Sequence, residues 1–451
     1  MTTPRSCALT FHGLFALILA SCADGGDVGS TEAAKWQDAK RGAISITFDD
    51  GSPNQFRNAM PILNRLGMHA TFFIVTGEIE GSEHPPAFLG RPFEEIMRDV
   101  AAAPTDATTF LERASALAYL GYEGTRDAHV RAGSLYEGGD VEEAYALIDR
   151  TYASVAAGDL QPGRDIGAEA RESASQPWDD YRRFAAQGHE FGSHTITHPR
   201  LAALDETNLL YELEGSKEDI RKRLGDRHTF SAEAPFGTEN ERVMDYLLDL
   251  YPATRNRMPH PWLEEINRSN GMAPAGSDKE YVQWQRGPLT AVPVDTMKSW
   301  VDTVLANDDI WLVLVFHGVD GIGWEPRTSE DLDVYFRYIK DREDDLWIAT
   351  FGDVTKYMRQ RMNAEVRSER QGDRIIVELT HRLGPELFVE PERYDLDLTL
   401  RTRVPRDWAR VTMRQAERVE DIQVMTDETG PFVMYRATPN AEPVELSRSG
   451  S

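Results

Sequence analysis

The chain has 451 residues, and its 49 Lys and Arg against 75 Asp and Glu give it a net charge of −26. Hydrophobic residues make up 41% and charged residues 27%, which is typical of a globular protein with two or three domains. A surface this acidic repels phosphate backbones, so nucleic acid is not an expected partner. The cysteines are Cys7 and Cys22, so a metal site in the body of the chain has to use His, Asp or Glu.

The first 22 residues have the pattern of an export signal. Arg5 precedes a mostly apolar stretch, 11–20, that is too short to span a bilayer. Leu19-Ala20-Ser21-Cys22 follows and resembles the lipobox of bacterial lipoproteins, in which the Cys is lipidated and becomes the mature N-terminus. We therefore expect an exported cell-envelope protein, on the periplasmic face or the outer membrane, with a lipid anchor on Cys22. A plain secretory signal, which would release the protein, is the alternative.

Strand-like and helix-like segments alternate along the middle of the chain. The strand-like runs are Ala43–Phe48, Ala70–Thr76, Glu190–Thr197, Ile310–Phe316 and Leu346–Phe351, and the clearest helical stretches between them are Ser52–Leu66 and Asp205–Leu224. This alternation predicts an α/β fold with a parallel sheet, in the form of a distorted (β/α) barrel. Polar residues follow three of the strands, as expected at the reaction face of such a barrel.

Two regions depart from this alternation. Residues 85–178 are rich in Ala, Glu and Arg and are expected to form a helical insertion, whereas 357–370 is charged and predicts a helical junction. Short strand-like runs separated by Gly, Pro, Asp and Asn then predict a small all-β sandwich. The expected division of the chain is signal peptide 1–21, tether 22–39, barrel 40–360 with its insertion, and sandwich 371–448.

Three local motifs carry residues that could perform chemistry. His194 and His198 are four residues apart, which would be about 13 Å on an extended strand, but Pro199 favours a sharp turn that could bring both to one metal. Asp49 and Asp50 are adjacent carboxylates, and a divalent cation would bind one and leave the other as a base. His317 ends an apolar strand and could be a general acid. Each motif alone is also compatible with a surface pair, an Asp-Gly turn or a packed core histidine.

Taken together, the order and spacing of these motifs resemble the polysaccharide deacetylases of carbohydrate esterase family 4. The resemblance covers roughly residues 40–360 without the insertion and uses four of the family's five local motifs. The matching segments are Thr47–Gly51, Gly192–His198, Ala234–Gly237 and Val315–His317. It implies a metal-dependent hydrolase that removes acetyl groups from a carbohydrate polymer or oligosaccharide, by N- or O-deacetylation.

The resemblance also implies a role for each matching residue. Asp50, His194 and His198 would hold a divalent metal. Zn²⁺ is the expected ion, and Co²⁺, Mn²⁺ or Ni²⁺ are the alternatives. Asp49 would be the catalytic base and His317 the catalytic acid. The backbone N–H of one further residue, Phe236, would help to bind the oxyanion.

The sequence departs from the family pattern in the third and fourth motifs. Glu233 stands where the family usually has an Arg that steadies the catalytic Asp, and the fourth motif is not recognisable. Our hypothesis is that Arg255 or Arg257 supplies the missing guanidinium and pairs with Glu233. Asp295 is a candidate partner for His317. Trp324, in a Gly-rich loop after His317, is the best candidate for stacking on a sugar, although a packed loop anchor fits equally well.

Other functions remain open at this point. Two His and one carboxylate also form the facial triad of non-haem iron oxygenases. A degenerate barrel with a glycan-binding sandwich, or a metal amidase that acts on a small non-sugar amide, would fit the same motifs. The sequence leaves open the acetylated glycan, the metal and the oligomeric state.

Overall fold

The computed structural model describes residues 28–163, 166–238, 240–257, 265–267, 277, 279–383 and 396–450. The predicted signal peptide and Cys22 lie outside these residues. Within them, no helix is both long enough and apolar enough to cross a membrane.

The described strands, in chain order, number eighteen. The first ten are β1 (Thr31–Ala33), β2 (Gly42–Phe48), β3 (Thr71–Ile74), β4 (Glu190–Ser193), β5 (Ser231–Ala232), β6 (Ala253–Thr254), β7 (Glu265–Asn267), β8 (Val282–Arg286), β9 (Ile310–Phe316) and β10 (Leu346–Ile348). The others are β11 (Ala364–Gln371), β12 (Arg374–His381), β13 (Leu398–Arg403), β14 (Arg410–Gln415), β15 (Arg418–Gln423), β16 (Met425–Asp427), β17 (Gly430–Ala437) and β18 (Val444–Arg448).

The described α-helices fall into two groups. Those from the barrel region are α1 (Met60–Leu66), α7 (Trp178–Ala185), α8 (Glu206–Leu224), α9 (Glu241–Leu250), α10 (Val294–Ala306), α11 (Ser329–Lys340) and α12 (Phe351–Met362). Those of the insertion are α2 (Phe93–Ala102), α3 (Phe110–Ala118), α4 (Thr125–Gly138), α5 (Val141–Ala157) and α6 (Ala168–Ser173). The helical insertion is therefore present, with α4 as a helix that the sequence pattern did not single out.

The central sheet confirms the predicted α/β class. Its strands lie in the order β6-β5-β4-β3-β2-β9-β8-β7, with β10 also paired to β2, and every one of these pairings is parallel. The seven residues of β2 are all buried, because the sheet is covered on both faces. Among the described residues no pairing joins β6 to β7, so the sheet is a curled, open half-barrel.

The carboxyl ends of the central strands place the polar motifs at one edge. Asp49 follows β2, His194 follows β4, and His317 follows β9, which pairs directly with β2. Parallel strands end at the same edge of a sheet, so these three segments meet there.

The last part of the chain forms two antiparallel sheets around a shared apolar core. Their strand orders are β1-β13-β17-β16 and β11-β12-β18-β14-β15. This arrangement matches the expected all-β sandwich. Its first strand, β1, comes from the segment 22–39 that was expected to be a tether, and Thr31 lies opposite Thr402. The part of that segment after Gly29 is therefore folded onto the sandwich.

The predicted helical junction at 357–370 is wrong in its second half. Helix α12 ends at Met362, and Ala364–Gln371 forms β11, which pairs along its whole length with β12. The two strands are joined by the two-residue loop Gly372-Asp373, and Gly372 has a φ of 63°. Two-residue loops of this kind favour tight β-hairpins. Pairing within the hairpin therefore outweighs the helical preference that the charged composition of the segment suggested.

Three buried histidines provide a test of the fold. Nδ1 of His129 lies 2.9 Å from the carbonyl of Ala114, and its Nε2 accepts the backbone N–H of Arg200 at 3.1 Å, so the ring is buried in its neutral form. Burial lowers the pKa of His129 to about 4, and does the same for His189 and His228.

We expect these rings to make folding stability depend on pH. The folded-state pKa lies below the ordinary value of 6.5, so the unfolded chain binds the proton first and stability falls as the pH drops from 6.5 towards 4. Each ring contributes on the order of 3 kcal/mol to this loss. His129→Gln should make the free energy of unfolding depend less on pH. Urea unfolding of chelator-treated protein at pH 7 and pH 4.5 measures this. If the free energy of unfolding of His129→Gln changed with pH as much as that of a variant of the exposed His69, His129 would not be a buried neutral ring.

Candidate active site

The histidine motif folds as a tight turn at the end of β4. Thr195 and His198 have φ values of 71° and 59°, so the chain reverses instead of continuing as a strand. The rings of His194 and His198 consequently lie 4.6 Å apart. Four residues of an extended strand could not bring two imidazoles so close.

Asp50 joins the two histidines to form a compact three-residue cluster. Its Oδ1 lies 3.6 Å from Nε2 of His194 and 3.4 Å from Nε2 of His198, and one donor atom of each residue lies within 4.8 Å of the others. All three side chains are at least nine-tenths buried. Two imidazole nitrogens and one carboxylate oxygen are a donor set that suits Zn²⁺ and related divalent ions and leaves positions for water or substrate.

The ring of His194 has its proton fixed by the backbone. Nδ1 lies 2.8 Å from the carbonyl oxygen of Glu233, which can only accept a hydrogen bond. The proton must therefore be on Nδ1, and in the neutral ring Nε2 presents its lone pair to Asp50. A hydrogen bond on the far nitrogen is how ligating histidines are oriented in metal sites.

The charge of the cluster is set by its own members. Burial alone would raise the pKa of Asp50, but the adjacent His194 and the charges of His198 and His317 hold that pKa well below its usual range. Burial lowers the pKa of His198, helped by the neighbouring His194. The cluster thus combines an ionised carboxylate with a neutral imidazole, which are the protonation states that metal ligands need.

The turn that carries the histidines is held by two side chains that the sequence patterns did not single out. The carboxylate of Glu212, on α8, accepts hydrogen bonds from the backbone N–H groups of Ile196 and Thr197, each at 2.8 Å. Arg126, on α4 of the insertion, donates to the carbonyls of Thr197 and His198, both at 2.6 Å. Nothing local in the sequence marks either residue, because each meets the turn only through tertiary packing.

Asp49 lies beside the cluster and is paired with Arg255. The guanidinium donates two hydrogen bonds to the carboxylate, at 2.8 and 2.5 Å, and a third to Thr47 Oγ1 at 2.7 Å. Glu233 Oε1 lies 3.0 Å from the same guanidinium. Burial would raise the pKa of Asp49, but Arg255 and His317 hold it below its usual value.

The other residues considered for this part of the site lie elsewhere. Arg257 pairs with Glu241 at 2.7 Å on a more exposed surface, so Arg255 and not Arg257 occupies the position beside Asp49. Asp295 pairs with Lys298 and is 92% exposed. The carboxylate that faces His317 is that of Asp49, with 3.4 Å between His317 Nε2 and Oδ2.

The side chain of one helical residue links the ends of β2 and β9. Gln55 lies in a short π-helical turn, 55–59, and its Nε2 donates to the backbone carbonyls of Asp49 and His317, at 2.5 and 2.8 Å. π-helical turns of this kind are frequent at functional sites. The sequence analysis missed Gln55, because its partners are backbone atoms of distant segments.

Two aromatic rings flank the cluster. Phe236 is 41% exposed, packs edge-on against His198 at 4.6 Å and has a φ of 61°. Trp324 is 57% exposed and packs edge-on against His317 at 4.7 Å. Large exposed apolar side chains beside a polar cleft indicate a binding surface.

Strained backbone is concentrated in the loops of the site. Asp50, Thr195, His198 and Phe236 all have left-handed φ values between 59° and 73° although none is glycine. Such conformations cost about 1–3 kcal/mol each and persist where surrounding structure enforces them, commonly at functional sites. The hydrogen bonds that Glu212 accepts and those that Arg126 donates are part of that enforcement.

Comparison with known proteins relates part of the chain to one family. The family model described as Polysaccharide deacetylase matches residues 37–107 and 165–251, on either side of a gap that contains α3, α4 and α5. Part of the chain is therefore similar to the polysaccharide deacetylase family, and the gap in the match lies within the helical insertion, whose first and last helices, α2 and α6, belong to the matched residues.

Individual relatives are more distant. A gellan lyase from Bacillus sp is 29% identical over 285 residues, which is 59% of this chain and 11% of that protein. The chain thus spans about a tenth of the length of this relative. A solved structure described as a polysaccharide deacetylase from Mycobacterium smegmatis is 12% identical, with a TM-score of 0.39 over 74% of this chain and 96% of that one. A family 4 carbohydrate esterase from Bacillus anthracis is 13% identical, with a TM-score of 0.33 over 74% and 87%.

The ion pairs of Arg255 generate a stability prediction. Arg255→Met removes the guanidinium that pairs with the buried carboxylates of Asp49 and Glu233, and it should lower the free energy of unfolding by about 3–5 kcal/mol. Adding Glu233→Gln removes one of those charges and should recover at least about 1 kcal/mol of the loss. Urea unfolding of chelator-treated protein at pH 7 measures both.

Arg257→Met is the matched control for this prediction. Its partner Glu241 is 81% exposed, so the change should cost less than about 1 kcal/mol. Equal effects of the two Arg substitutions, or a double variant less stable than Arg255→Met, would contradict the buried charge network.

Proposed function

We propose that the protein is a metal-dependent hydrolase that removes acetyl groups from a carbohydrate. The observation that carries the proposal is the convergence of Asp50, His194 and His198 on one point, with Asp49 and His317 beside it. The match of residues 37–107 and 165–251 to the polysaccharide deacetylase family model supports a carbohydrate as the substrate class. Metal dependence, N- or O-acetyl specificity and the individual residue roles belong to the proposal.

The residues divide into a metal-holding set and a proton-moving set. Asp50, His194 and His198 would hold the divalent ion, with Zn²⁺ the expected metal. When bound, such an ion acidifies a water molecule and polarises the carbonyl of the acetyl group. Asp49, ionised at neutral pH and fixed by Arg255, accepts the proton of the attacking water.

His317 and Phe236 complete the proposed reaction. His317, partly exposed beside Asp49, protonates the leaving nitrogen or oxygen of the sugar. The backbone N–H of Phe236 donates to the oxyanion that develops on the acetyl carbonyl. The strained φ of Phe236 is consistent with a backbone held for such a purpose.

Acetate release tests the activity directly. Wild-type protein should release acetate from at least one member of a panel of N- and O-acetylated glycans, and a chelator should abolish the release until Zn²⁺ or Co²⁺ is restored. Asp49→Asn should lower kcat by about 10²–10⁴-fold while the bound metal is retained. Asp295→Asn, which changes an exposed carboxylate, is the control and should leave kcat unchanged.

Other outcomes would identify a different function. Binding of glycans without acetate release from any of them would indicate a binding protein, and activity restricted to small amides would indicate an amidase. Iron-dependent oxygen uptake would indicate an oxygenase. Any of these three results would overturn the proposed deacetylase.

We expect Trp324 to contribute to sugar binding. The indole is mostly exposed beside His317, and stacking of a sugar ring on it would use that surface. Trp324→Ala should raise KM for an oligosaccharide about ten-fold or more with little change in kcat, and Trp324→Phe should restore part of the affinity. A lower kcat with unchanged KM would instead indicate that Trp324 only packs against His317.

We also propose that the protein is an exported lipoprotein anchored through Cys22. The lipobox-like sequence supports the anchor, and 30 − 22 leaves eight residues between it and β1. Eight residues reach at most about 29 Å, so the anchor would hold the sandwich close to the membrane. Fatty-acid labelling in a bacterial host should mark the wild type but not Cys22→Ser; equal labelling or none would contradict the anchor.

A further inference from the structure

The helical insertion meets the metal-binding cluster at its short helix α6. Gly51, next to Asp50, is packed so closely against this helix that a Cβ on it would lie 2.5 Å from Ser173 Oγ. The carboxylates of Glu169 and Glu172, both on α6, therefore lie at the edge of the cluster. The insertion is thus part of the site and not a separate lobe.

The two histidines of the cluster differ in how their outer nitrogen is satisfied. Nδ1 of His194 is hydrogen-bonded to the carbonyl of Glu233, as described above. Nδ1 of His198 is buried and has no hydrogen-bond partner in the part of the chain that the structure describes. A buried imidazole N–H without a partner costs about 1–3 kcal/mol, so this nitrogen needs an acceptor.

Glu169 is placed to be that acceptor. Its Oε1 lies 3.9 Å from Nδ1 of His198, about 1 Å beyond hydrogen-bond length, and its side chain is 29% exposed. A partly exposed Glu can cover 1 Å by a small change of its side-chain torsions. Arg126, also from the insertion, already holds the backbone carbonyl of His198.

We propose that Glu169 is a positioning residue for the metal centre. In the loaded site it accepts the Nδ1–H of His198, which fixes the ring with Nε2 towards the ion and makes that nitrogen a better ligand. The insertion then completes the site with Arg126 on the backbone of His198 and Glu169 on its ring. This inference rests on the proposed metal binding, and it adds a residue outside the four local motifs that the sequence analysis named.

Glu172 provides an internal comparison. It lies on the same short helix and carries the same charge, but it accepts a hydrogen bond from the backbone of Gly323, in the loop that bears Trp324. Burial and the charges of Asp50 and Glu169 raise the pKa of Glu172. It is thus close to the cluster, and its removal measures the effect of losing a nearby charge and the hydrogen bond to Gly323.

The experiment measures the dissociation constant for Zn²⁺ by competition with a chromogenic chelator. Glu169→Ala should weaken binding by 10–100-fold, the range found when outer partners of ligating histidines are removed. Glu169→Gln keeps an acceptor oxygen and should recover part of that loss. Glu172→Ala should weaken binding at least several-fold less than Glu169→Ala. The visible absorption spectrum of the Co²⁺ form should change for Glu169→Ala and not for Glu172→Ala.

The outcomes separate this inference from the proposed function. Failure of the wild type to bind Zn²⁺ would overturn the metal site itself. If the wild type binds Zn²⁺ tightly and Glu169→Ala binds it with equal affinity, the role of Glu169 alone is overturned. The same holds if Glu169→Ala and Glu172→Ala lose equal Zn²⁺ affinity. Circular dichroism of the metal-free variants verifies that each is folded.

Discussion

Burial of two adjacent carboxylates at the end of β2 is the constraint on which the site depends. Asp49 and Asp50 are 3% and 4% exposed, and the charge of each would be prohibitive in an apolar interior without compensation. Asp49 is compensated by Arg255, and Asp50 by two imidazoles and, in the proposed enzyme, by a cation. One carboxylate is thereby committed to an ion pair and the other to coordination, which separates their chemical roles.

The rest of the local structure follows from this division. Arg255 neutralises Asp49 and also pairs with Glu233, so the charge reversal in the third motif is matched by a guanidinium from the next strand end. The backbone carbonyl of Glu233 in turn orients His194. The carboxylate of Glu233 therefore contacts the partner of Asp49, and its backbone carbonyl contacts His194.

How much of this could be predicted from the sequence depended on whether the signal was local. Strand β9 has the predicted bounds because a continuous apolar run ends at His317, and Pro199 indicated the turn of the histidine motif. Arg255 could be proposed because an unexpected Glu233 demanded a positive partner. Strand β11 was missed because its charged residues lack alternation, although the Gly372-Asp373 loop was a usable hairpin signal.

The supporting side chains could not be predicted, for a physical reason. Glu212 and Arg126 hold backbone atoms of the histidine turn from α8 and α4, and Glu169 on α6 lies 3.9 Å from the ring of His198. Their positions follow from helix packing, which no short pattern encodes. Polar residues on helices are usually solvated, so sequence reasoning assigns them to the surface by default.

The central claim is that distant segments of the chain create one cation site. Its most direct test is a crystal structure of the Zn²⁺-loaded protein with anomalous diffraction recorded on both sides of the zinc absorption edge. The account predicts a single strong anomalous peak within about 2.0–2.2 Å of Asp50, His194 and His198, with the carboxylate of Asp49 outside the coordination sphere. A peak bound by other residues, or none at a saturating concentration of Zn²⁺, would contradict it.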